Sequence, residues 1–262
     1  MNQNVEHLLI TKFRKQLWRP FSKAIRDYEL VSENDKIAIC ISGGKDSFIL
    51  AKLMQELQRH GNKHFDLVFL CMNPGYEPHI LKQIEENAKL LEIPIQIYKS
   101  DIFDVSLKLN EHHPGYMCAR MRRGFLYQKA KELGCNKIAL GHHFNDVIET
   151  IMLNLLYNGN FSGMLPILPS DNYSNMELIR PLYYVKEKDI ISWVKFSELT
   201  FLDCACSVTK KNSGKRKEVK QLIYYLLENN PNADINIFNS MFNVNPNTTR
   251  VIAKYNDNNN VK

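Results

Sequence analysis

The chain has 262 residues, 44% of them hydrophobic and 24% charged, with a formal net charge of +6. This length can bury one large domain with additions, or one large and one small domain. There is no apolar run of about eighteen residues and no signal peptide pattern at the start, so we expect a cytoplasmic protein without membrane association. Without a signal peptide, the six cysteines favour reduced thiols or metal ligands over a disulfide scaffold.

Hydrophobic patterns predict an N-terminal helical segment, at about 7–30, followed by an alternating core. Apolar runs predict strands at residues 37–42, 66–72, 94–98 and 137–141, and a short fifth strand at 177–180. Stretches with helical periodicity predict helices at residues 46–60, 77–92, 118–133 and 144–157. This order predicts an α/β fold with a doubly wound parallel sheet.

Helical patterns return after residue 186, with one helix to about residue 198 and another at about 215–228. The end of the chain is rich in asparagine and is expected to fray. We therefore divide the chain into three parts: an N-terminal helical segment at 1–33, an α/β domain at 34–185, and a C-terminal helical region at 186–262.

A glycine-rich turn, Ser42-Gly43-Gly44-Lys45-Asp46-Ser47, joins the first predicted strand to the first core helix. Such a turn directs backbone N–H groups and the positive end of a helix at one point, which suits a phosphate. The spacing fits neither the Walker pattern nor the dinucleotide fingerprint. The turn predicts an ATP site, and a strand-to-helix turn with polar caps is the alternative.

A second polar group, Gly141-His142-His143 followed by Asp146, comes after the fourth predicted strand. Ligands of open α/β sheets bind outside the carboxyl ends of the strands, so this group is predicted to form another wall of the nucleotide site. Met72, at the end of the second predicted strand, is assigned to the same site. Helix capping by Asn145 or Asp146 is the structural alternative.

The cysteines fall into two groups. Three lie in or beside apolar strands and are predicted to be core residues: Cys40, Cys71 and Cys135. Three lie in two irregular or basic segments and are predicted to ligate a metal or an iron–sulfur cluster: Cys118, Cys204 and Cys206. Three thiolates on a four-iron cluster would leave one iron open. Zinc with a fourth ligand is an alternative.

Basic residues follow Cys118 closely, at Arg120, Arg122 and Arg123. Guanidinium groups match phosphate oxygens, so these arginines are predicted to contact an RNA backbone or an adenylate. A solvated basic helix face is the alternative interpretation.

Taken together, these motifs resemble the tRNA 2-thiocytidine synthetase family of pyrophosphatase-loop enzymes. The resemblance covers roughly residues 10–210 in the family's order and rests on the following segments: residues 42–47, 118–124, 140–146, 154–159, 179–182 and 187–190. It implies an ATP-dependent tRNA sulfurtransferase that requires Mg²⁺ and a [4Fe–4S] cluster. The expected partners are tRNA and a sulfur donor such as a cysteine desulfurase, and a homodimer is left open.

The resemblance also implies roles for individual residues. Gly43 and Gly44 would let the backbone approach the phosphates, and Ser42, Lys45 and Ser47 would contact pyrophosphate. Asp46 would hold Mg²⁺, and Lys45 and Asp46 would be catalytic. The base carbonyl would attack the α-phosphate of ATP, and sulfide held on the cluster would then displace AMP.

The chain departs from the family pattern in both cysteine segments. The family usually has Cys-x-x-Cys in each, whereas Gly115 stands three residues before Cys118 and the second segment is Cys204-Ala205-Cys206. There are two alternatives: an adenylating ligase of the tRNA(Ile) lysidine synthetase type, which needs no cysteines, and a non-catalytic tRNA-binding or iron-sensing relative.

Overall fold

The computed structural model describes residues 7–100, 114–197, 199–201, 213–245 and 247, apart from the side chains of residues 114–120 and 213. Six strands form one sheet: β1 (Lys36–Ile41), β2 (Asp66–Asn73), β3 (Ile95–Lys99), β4 (Lys137–Ala139), β5 (Ile167–Pro169) and β6 (Glu177–Ile179). The α-helices are α1 (Arg19–Asp27), α2 (Lys45–His60), α3 (Pro78–Leu90), α4 (Pro114–Glu132), α5 (Phe144–Tyr157), α6 (Glu187–Ser197), α7 (Ser213–Asn229) and α8 (Ala233–Ser240).

The sheet has the strand order β3-β2-β1-β4-β6-β5, and only the pairing of β5 with β6 is antiparallel. β1 and β4 are neighbours, with Ile37 opposite Lys137 and Ile39 opposite Ala139. Their carboxyl ends therefore lie side by side, although about a hundred residues separate them in the chain. The predicted α/β fold is confirmed.

The two faces of β1 belong to two hydrophobic cores. Ile37, Ile39 and Ile41 pack in the larger core, whereas Ala38 and Cys40 pack in a smaller one. Because successive strand side chains point to opposite faces, this division shows that both faces of β1 are covered. A continuous apolar run is what a parallel strand buried on both faces requires.

The predicted N-terminal helical segment is present, but it is not one regular helix. Residues Arg14–Trp18 form a π-helical turn directly before α1. Pro20 lies in the first turn of α1 and has no N–H to continue the preceding hydrogen bonds, which accounts for the change in winding. Leu17 and Phe21 are fully buried and anchor the segment on the larger core.

The sequence patterns located the other core elements with small errors at their ends. The predicted fourth strand extends to residue 141, but β4 ends at Ala139. The predicted fifth strand is β6, and it ends at Ile179. Two elements were missed, the short edge strand β5 and the C-terminal helix α8. No helix in the described part of the chain is long and apolar enough to cross a membrane.

Candidate functional site

The turn after β1 has the shape that its sequence predicts. Gly43 has a φ of 88°, in the left-handed region that glycine tolerates, and Gly44 is the residue before α2. The hydroxyl of Ser47 accepts the Ser42 N–H at 3.2 Å and donates to the Gly44 carbonyl at 2.8 Å. These bonds fold the turn back on the first turn of α2, whose N–H groups then face the end of the sheet.

The segment after β4 lies directly against this turn. A Cβ on Gly141 would be 3.0 Å from the carbonyl carbon and oxygen of Asp46 and 3.1 Å from the amide nitrogen of Ser47. A larger residue would therefore push on the backbone of α2. Glycine lets the two segments meet, and this contact joins the predicted walls into one site.

His143 connects the two predicted walls. It is the N-cap of α5: its Nδ1 accepts the Asp146 N–H, and the Asp146 carboxylate accepts the His143 N–H at 3.0 Å. With Nδ1 as an acceptor, a neutral imidazole carries its proton on Nε2, which lies 3.8 Å from Oδ1 of Asp46. The predicted cap, Asn145 or Asp146, was thus wrong by a few residues, because Asp146 occupies the third helical position of a capping box.

A cavity of about 550 Å³ opens at this point, within the size range of small-ligand sites. Its lining combines loop, strand-end and helix residues: Cys40, Ile41, Ser42, Asp46, Ser47, Met72, Tyr76, Arg122, Arg123, Leu126, Tyr127, Ile138, Leu140, Gly141, His142, Asp146, Leu178 and Arg216. Several residues predicted to bind the nucleotide are among them. The remaining loop residues, Gly43, Gly44 and Lys45, form the adjacent turn.

Two buried polar atoms in this lining have no hydrogen-bond partner among the described residues, Oδ1 of Asp46 and Nδ1 of His142. Burial raises the pKa of Asp46 despite the nearby His143 and Lys45. Burial lowers the pKa of His142 to about 4, so this imidazole is neutral at pH 7. Unsatisfied buried polar atoms are costly. Two of the five such side-chain atoms among the described residues line this cavity, where a ligand can supply the missing partners.

A cation on helix α7 reaches the same site. Arg216 donates to Asp146 at 2.5 Å and to Glu149 at 2.7 Å. These bonds and charges raise the pKa of Arg216, although burial alone would lower it. For Asp146, burial raises the pKa, but His143 and Arg216 outweigh it and the net pKa is lowered. Asp146 is therefore an ionised carboxylate.

Of the residues predicted to bind a cluster or RNA, the structure describes the side chains of only two. Arg122 and Arg123 line the cavity. Cys118 and Arg120 lie in α4, but their side chains, and all of residues Cys204 and Cys206, lie outside the described part of the chain. Within the described residues there is no group of three His, Cys, Asp or Glu side chains that could hold a metal.

The three remaining cysteines are buried, as predicted. Burial raises the pKa of Cys71 to about 12 and that of Cys40 further. Their thiols stay protonated at neutral pH and are unreactive core groups.

Comparison with known proteins identifies the family. The PP-loop domain family matches residues 10–221. A tRNA-cytidine(32) 2-sulfurtransferase from Paraburkholderia xenovorans is 36% identical over 90% of this chain and 70% of its own length. The chain belongs to the tRNA-cytidine(32) 2-sulfurtransferase family of PP-loop proteins.

Other members of the sulfurtransferase family match at similar levels. The protein of Citrifermentans bemidjiense is 33% identical over 92% of this chain and 94% of its own length. The protein of Alcanivorax borkumensis is 36% identical over 90% of this chain and 84% of its own length. The resemblance inferred from the motifs is thereby confirmed.

A solved structure has the same fold. The U34-tRNA thiolase NcsA from Methanococcus maripaludis, determined with its [4Fe-4S] cluster, superimposes with a TM-score of 0.67 at 22% identity. The match covers 84% of this chain and 75% of that one. It supports the α/β architecture of this sulfurtransferase family member.

Sequence patterns did not place three polar residues at the site of this sulfurtransferase family member: Glu187, Arg216 and Lys220. They placed both adjacent histidines in one wall of the site but gave only His142 a role in nucleotide binding. Arg216 and Lys220 are spaced as i and i+4 on one face of a helix, a signal that predicts a shared surface. Nothing in the sequence indicates which carboxylates that surface meets about 33 to 70 residues away.

Proposed function

We propose that this chain activates a cytidine carbonyl in the anticodon loop of a tRNA with ATP and replaces the oxygen with sulfur. The cavity between the turn after β1 and the start of α5 carries this proposal. It combines a phosphate-type loop, an arginine-rich wall and two buried polar atoms without partners among the described residues. Family membership supports the choice of substrate.

The loop residues suit the triphosphate of ATP. The N–H groups at the start of α2, Ser42, Ser47 and the Lys45 ammonium would hold the departing pyrophosphate. His142, neutral because of its burial, would supply a hydrogen-bonding nitrogen to the nucleotide. Met72 is buried and lines the same cavity, so it would contact the apolar part of the nucleotide.

Asp46 fits a magnesium ion bound together with the phosphates. Its Oδ1 is buried without a hydrogen-bond partner among the described residues, so this oxygen is free to coordinate a cation. Mg²⁺ usually takes one or two carboxylates and completes its shell with phosphate oxygens and water. A single protein carboxylate with a nucleotide is therefore sufficient, and Mg²⁺ would neutralise charge as pyrophosphate leaves.

The chemical step balances without a redox partner. The base carbonyl oxygen attacks the α-phosphorus, the bond to the bridging oxygen of pyrophosphate breaks, and an adenylated base results. Arg122 and Arg123 line the cavity and would hold the negative phosphate of this adenylate. A sulfur nucleophile then bonds to the ring carbon, and the C–O bond to AMP breaks.

Cys118, Cys204 and Cys206 are the proposed ligands of a [4Fe–4S] cluster, which when bound would supply sulfide for the second step. Cys118 is in α4, the helix that also carries Arg122 and Arg123. Cys204 and Cys206 precede α7, the helix that carries Arg216. Both segments are thus close in sequence to helices that line the cavity. A cysteine desulfurase is the proposed sulfur donor, together with a thiol reductant whose oxidation to a disulfide converts the persulfide sulfur to sulfide before the substitution. A homodimer is the proposed assembly.

The test uses the full chain, purified and reconstituted with iron and sulfide without oxygen. It is incubated with tRNA, ATP, Mg²⁺ and sulfide, and the tRNA is digested to nucleosides for mass spectrometry. The expected products are 2-thiocytidine, AMP and pyrophosphate in equal amounts. Iron and sulfide contents of about four each per chain are expected for the cluster.

Two outcomes would contradict the proposal. Pyrophosphate release with incorporation of an amino acid in place of sulfur would indicate ligase chemistry. Binding of tRNA without any formation of AMP would indicate a non-catalytic protein. The variant K89M, on the exposed end of α3, serves as a control that should keep full activity.

A further inference from the structure

A row of alternating charges runs from the turn after β1 (residues 42–47), here called the nucleotide loop, to helix α7. Lys45 Nζ lies 3.4 Å from Oε1 of Glu187, and Oε2 of the same carboxylate accepts from Lys220 Nζ at 2.6 Å. Lys45 is also 3.3 Å from Oδ2 of Asp46. The row therefore joins the loop, the start of α6 and the middle of α7.

Glu187 is fixed in place on its backbone as well as its side chain. Its N–H donates to the side chain of Asn145, in the first turn of α5, at 2.9 Å. Its side chain is only 14% exposed. Burial raises the pKa of Glu187, but its bond to Lys220 and the charges of Lys220 and Lys45 outweigh this and lower it. The carboxylate is therefore ionised next to the loop lysine.

The Glu187 carboxylate lies beside Lys45, so it competes with a phosphate group for the positive charge of Lys45. Lys45 is predicted to bind the pyrophosphate of ATP, and Glu187 offers it another anion when no nucleotide is present. Lys220 limits this competition, because it lies closer to the Glu187 carboxylate than Lys45 does, at 2.6 Å compared with 3.4 Å. Coulomb attraction falls with distance, so Lys220 carries the larger share of the Glu187 charge.

We propose that Lys220 is a positioning residue for ATP binding, because it neutralises Glu187 and so keeps Lys45 available to the phosphates. This inference rests on the proposed function, since it deepens the role of the same nucleotide site. Glu187 is the group through which Lys220 acts. Neither residue needs to touch the nucleotide.

The neighbouring contact of α7 holds this arrangement together. Arg216 lies one turn before Lys220 and binds Asp146 and Glu149 of α5. Two cations on one face of α7 thus meet carboxylates from α5 and α6. Loss of Lys220 leaves the Arg216 contacts in place, so α7 remains docked and the effect on Lys45 can be measured separately.

The experiment measures the dissociation constant of Mg·ATP by calorimetry on the full chain, without tRNA. The variant K220M keeps the aliphatic part of the side chain and removes the charge. Its affinity for ATP should be weaker by about three- to fivefold, the effect of losing one partly exposed ion pair. K220R retains the charge and should restore wild-type affinity, and K217M, on an exposed position of the same helix, should not change it.

A second variant tests the route through Glu187. E187Q removes the competing charge and should bind ATP at least as tightly as the wild type, and the double variant K220M/E187Q should bind about as tightly as E187Q. A purely structural role of the pair would weaken ATP binding in E187Q as well. Thermal midpoints of all variants separate loss of folding from loss of affinity.

The outcomes distinguish this inference from the proposed function. If the wild type binds no ATP, the proposed function fails. If the wild type binds ATP and K220M binds it equally well, or if E187Q is as weak as K220M, the role of Lys220 is overturned while the proposed function stands.

Discussion

The two ends of the β1–β4 pair contrast in how their buried charges are satisfied. At the amino end, Asp35 and Lys137 form an ion pair of 2.8 Å with both side chains 5% exposed. At the carboxyl end, Asp46 and His142 each keep a buried atom without a hydrogen-bond partner among the described residues. Both ends bury ionisable groups, and only the second leaves bonds for a ligand to complete.

The amino-end network is closed. Asp35 accepts from Asn136, from Lys137 and from the backbone of Ser32, and Lys137 also donates to the carbonyl of Leu30. Burial raises the pKa of Asp35, but these bonds outweigh it and the net pKa is lowered. Charges arranged in this way hold β1, β4 and the preceding turn in register.

The contrast teaches how to tell structural from functional charges in this fold. Burial alone does not distinguish them, since both ends are buried. At these two ends the distinguishing feature is an open hydrogen-bonding position that faces a cavity, because a ligand bound there can compensate for the cost of the unsatisfied atom. The following predictions test whether this division is correct.

The largest effect on stability is expected from K137M. This variant leaves Asp35 as a buried carboxylate without its cation, which should lower the free energy of unfolding by about 3–5 kcal/mol. Urea denaturation measures it. The exposed pair of α4 provides a control, since K129M should cost less than about 1 kcal/mol. The folded fraction of K137M should still bind ATP, and a specific loss of ATP binding would break the comparison.

D46N should have the opposite effect to K137M, with a loss of activity and no loss of stability. Loss of the carboxylate that would hold Mg²⁺ should reduce pyrophosphate release on the order of a hundred- to a thousandfold. Stability should remain the same or rise, because ionised Asp46 is disfavoured by burial, as its raised pKa shows. Turnover and thermal midpoint are measured on the same sample. A marked fall in the midpoint would assign Asp46 to the structural group.

The pH dependence of folding should report His142. Its pKa falls from 6.5 to about 4 on folding, so between these values the unfolded chain binds a proton that the folded chain does not. Stability is therefore fully present above about pH 6.5 and decreases as the pH falls toward 4, by up to about 3 kcal/mol. Denaturation at several pH values measures this slope. H142N should flatten it, and an unchanged slope would mean that another group is responsible.

The smallest effects are expected at His143, where two variants separate its two contacts. Asparagine is a good N-cap but is shorter, so H143N should preserve α5 and lose the approach to Asp46. H143A should lose both and cost about 1 kcal/mol more stability than H143N. Both should slow pyrophosphate release to a similar extent. If H143N retained full activity, His143 would be only a cap.

The sequence was sufficient to predict the parts of the fold that depend on local patterns. Apolar runs located β1, β4 and the buried part of β2 because parallel strands buried on both faces require them. β3 lies at the sheet edge with half-buried and exposed residues, and its isoleucines at 95 and 97 gave the signal. β5 was not predicted because it has only three residues and ends in Pro169 at the sheet edge, so neither alternation nor length marks it as a strand. α8 escaped because its apolar periodicity is interrupted by asparagines, and tertiary packing of Phe238 stabilises it instead.

The residues of the site were likewise predictable only where a local sequence pattern marks them. Residues 42–47 and 141–146 were assigned because each motif is contiguous and ends a strand. Arg216 and Lys220 were not assigned, because their partners Asp146 and Glu187 are brought to them by helix docking, which no local spacing encodes. The roles given to the cysteines and to the magnesium ligand stay predictions.

The docking of α7 also bears on how the protein is made. During synthesis the nucleotide loop and the start of α5 emerge well before Arg216 and Lys220, so a growing chain holds Asp146, Glu149 and Glu187 before the two cations of α7 are added. Until α7 docks, the Arg216 part of the cavity lining is missing. The ribosome adds Cys204 and Cys206 before it adds the two cations. A nascent chain therefore acquires all three proposed cluster ligands before the proposed ATP pocket is complete.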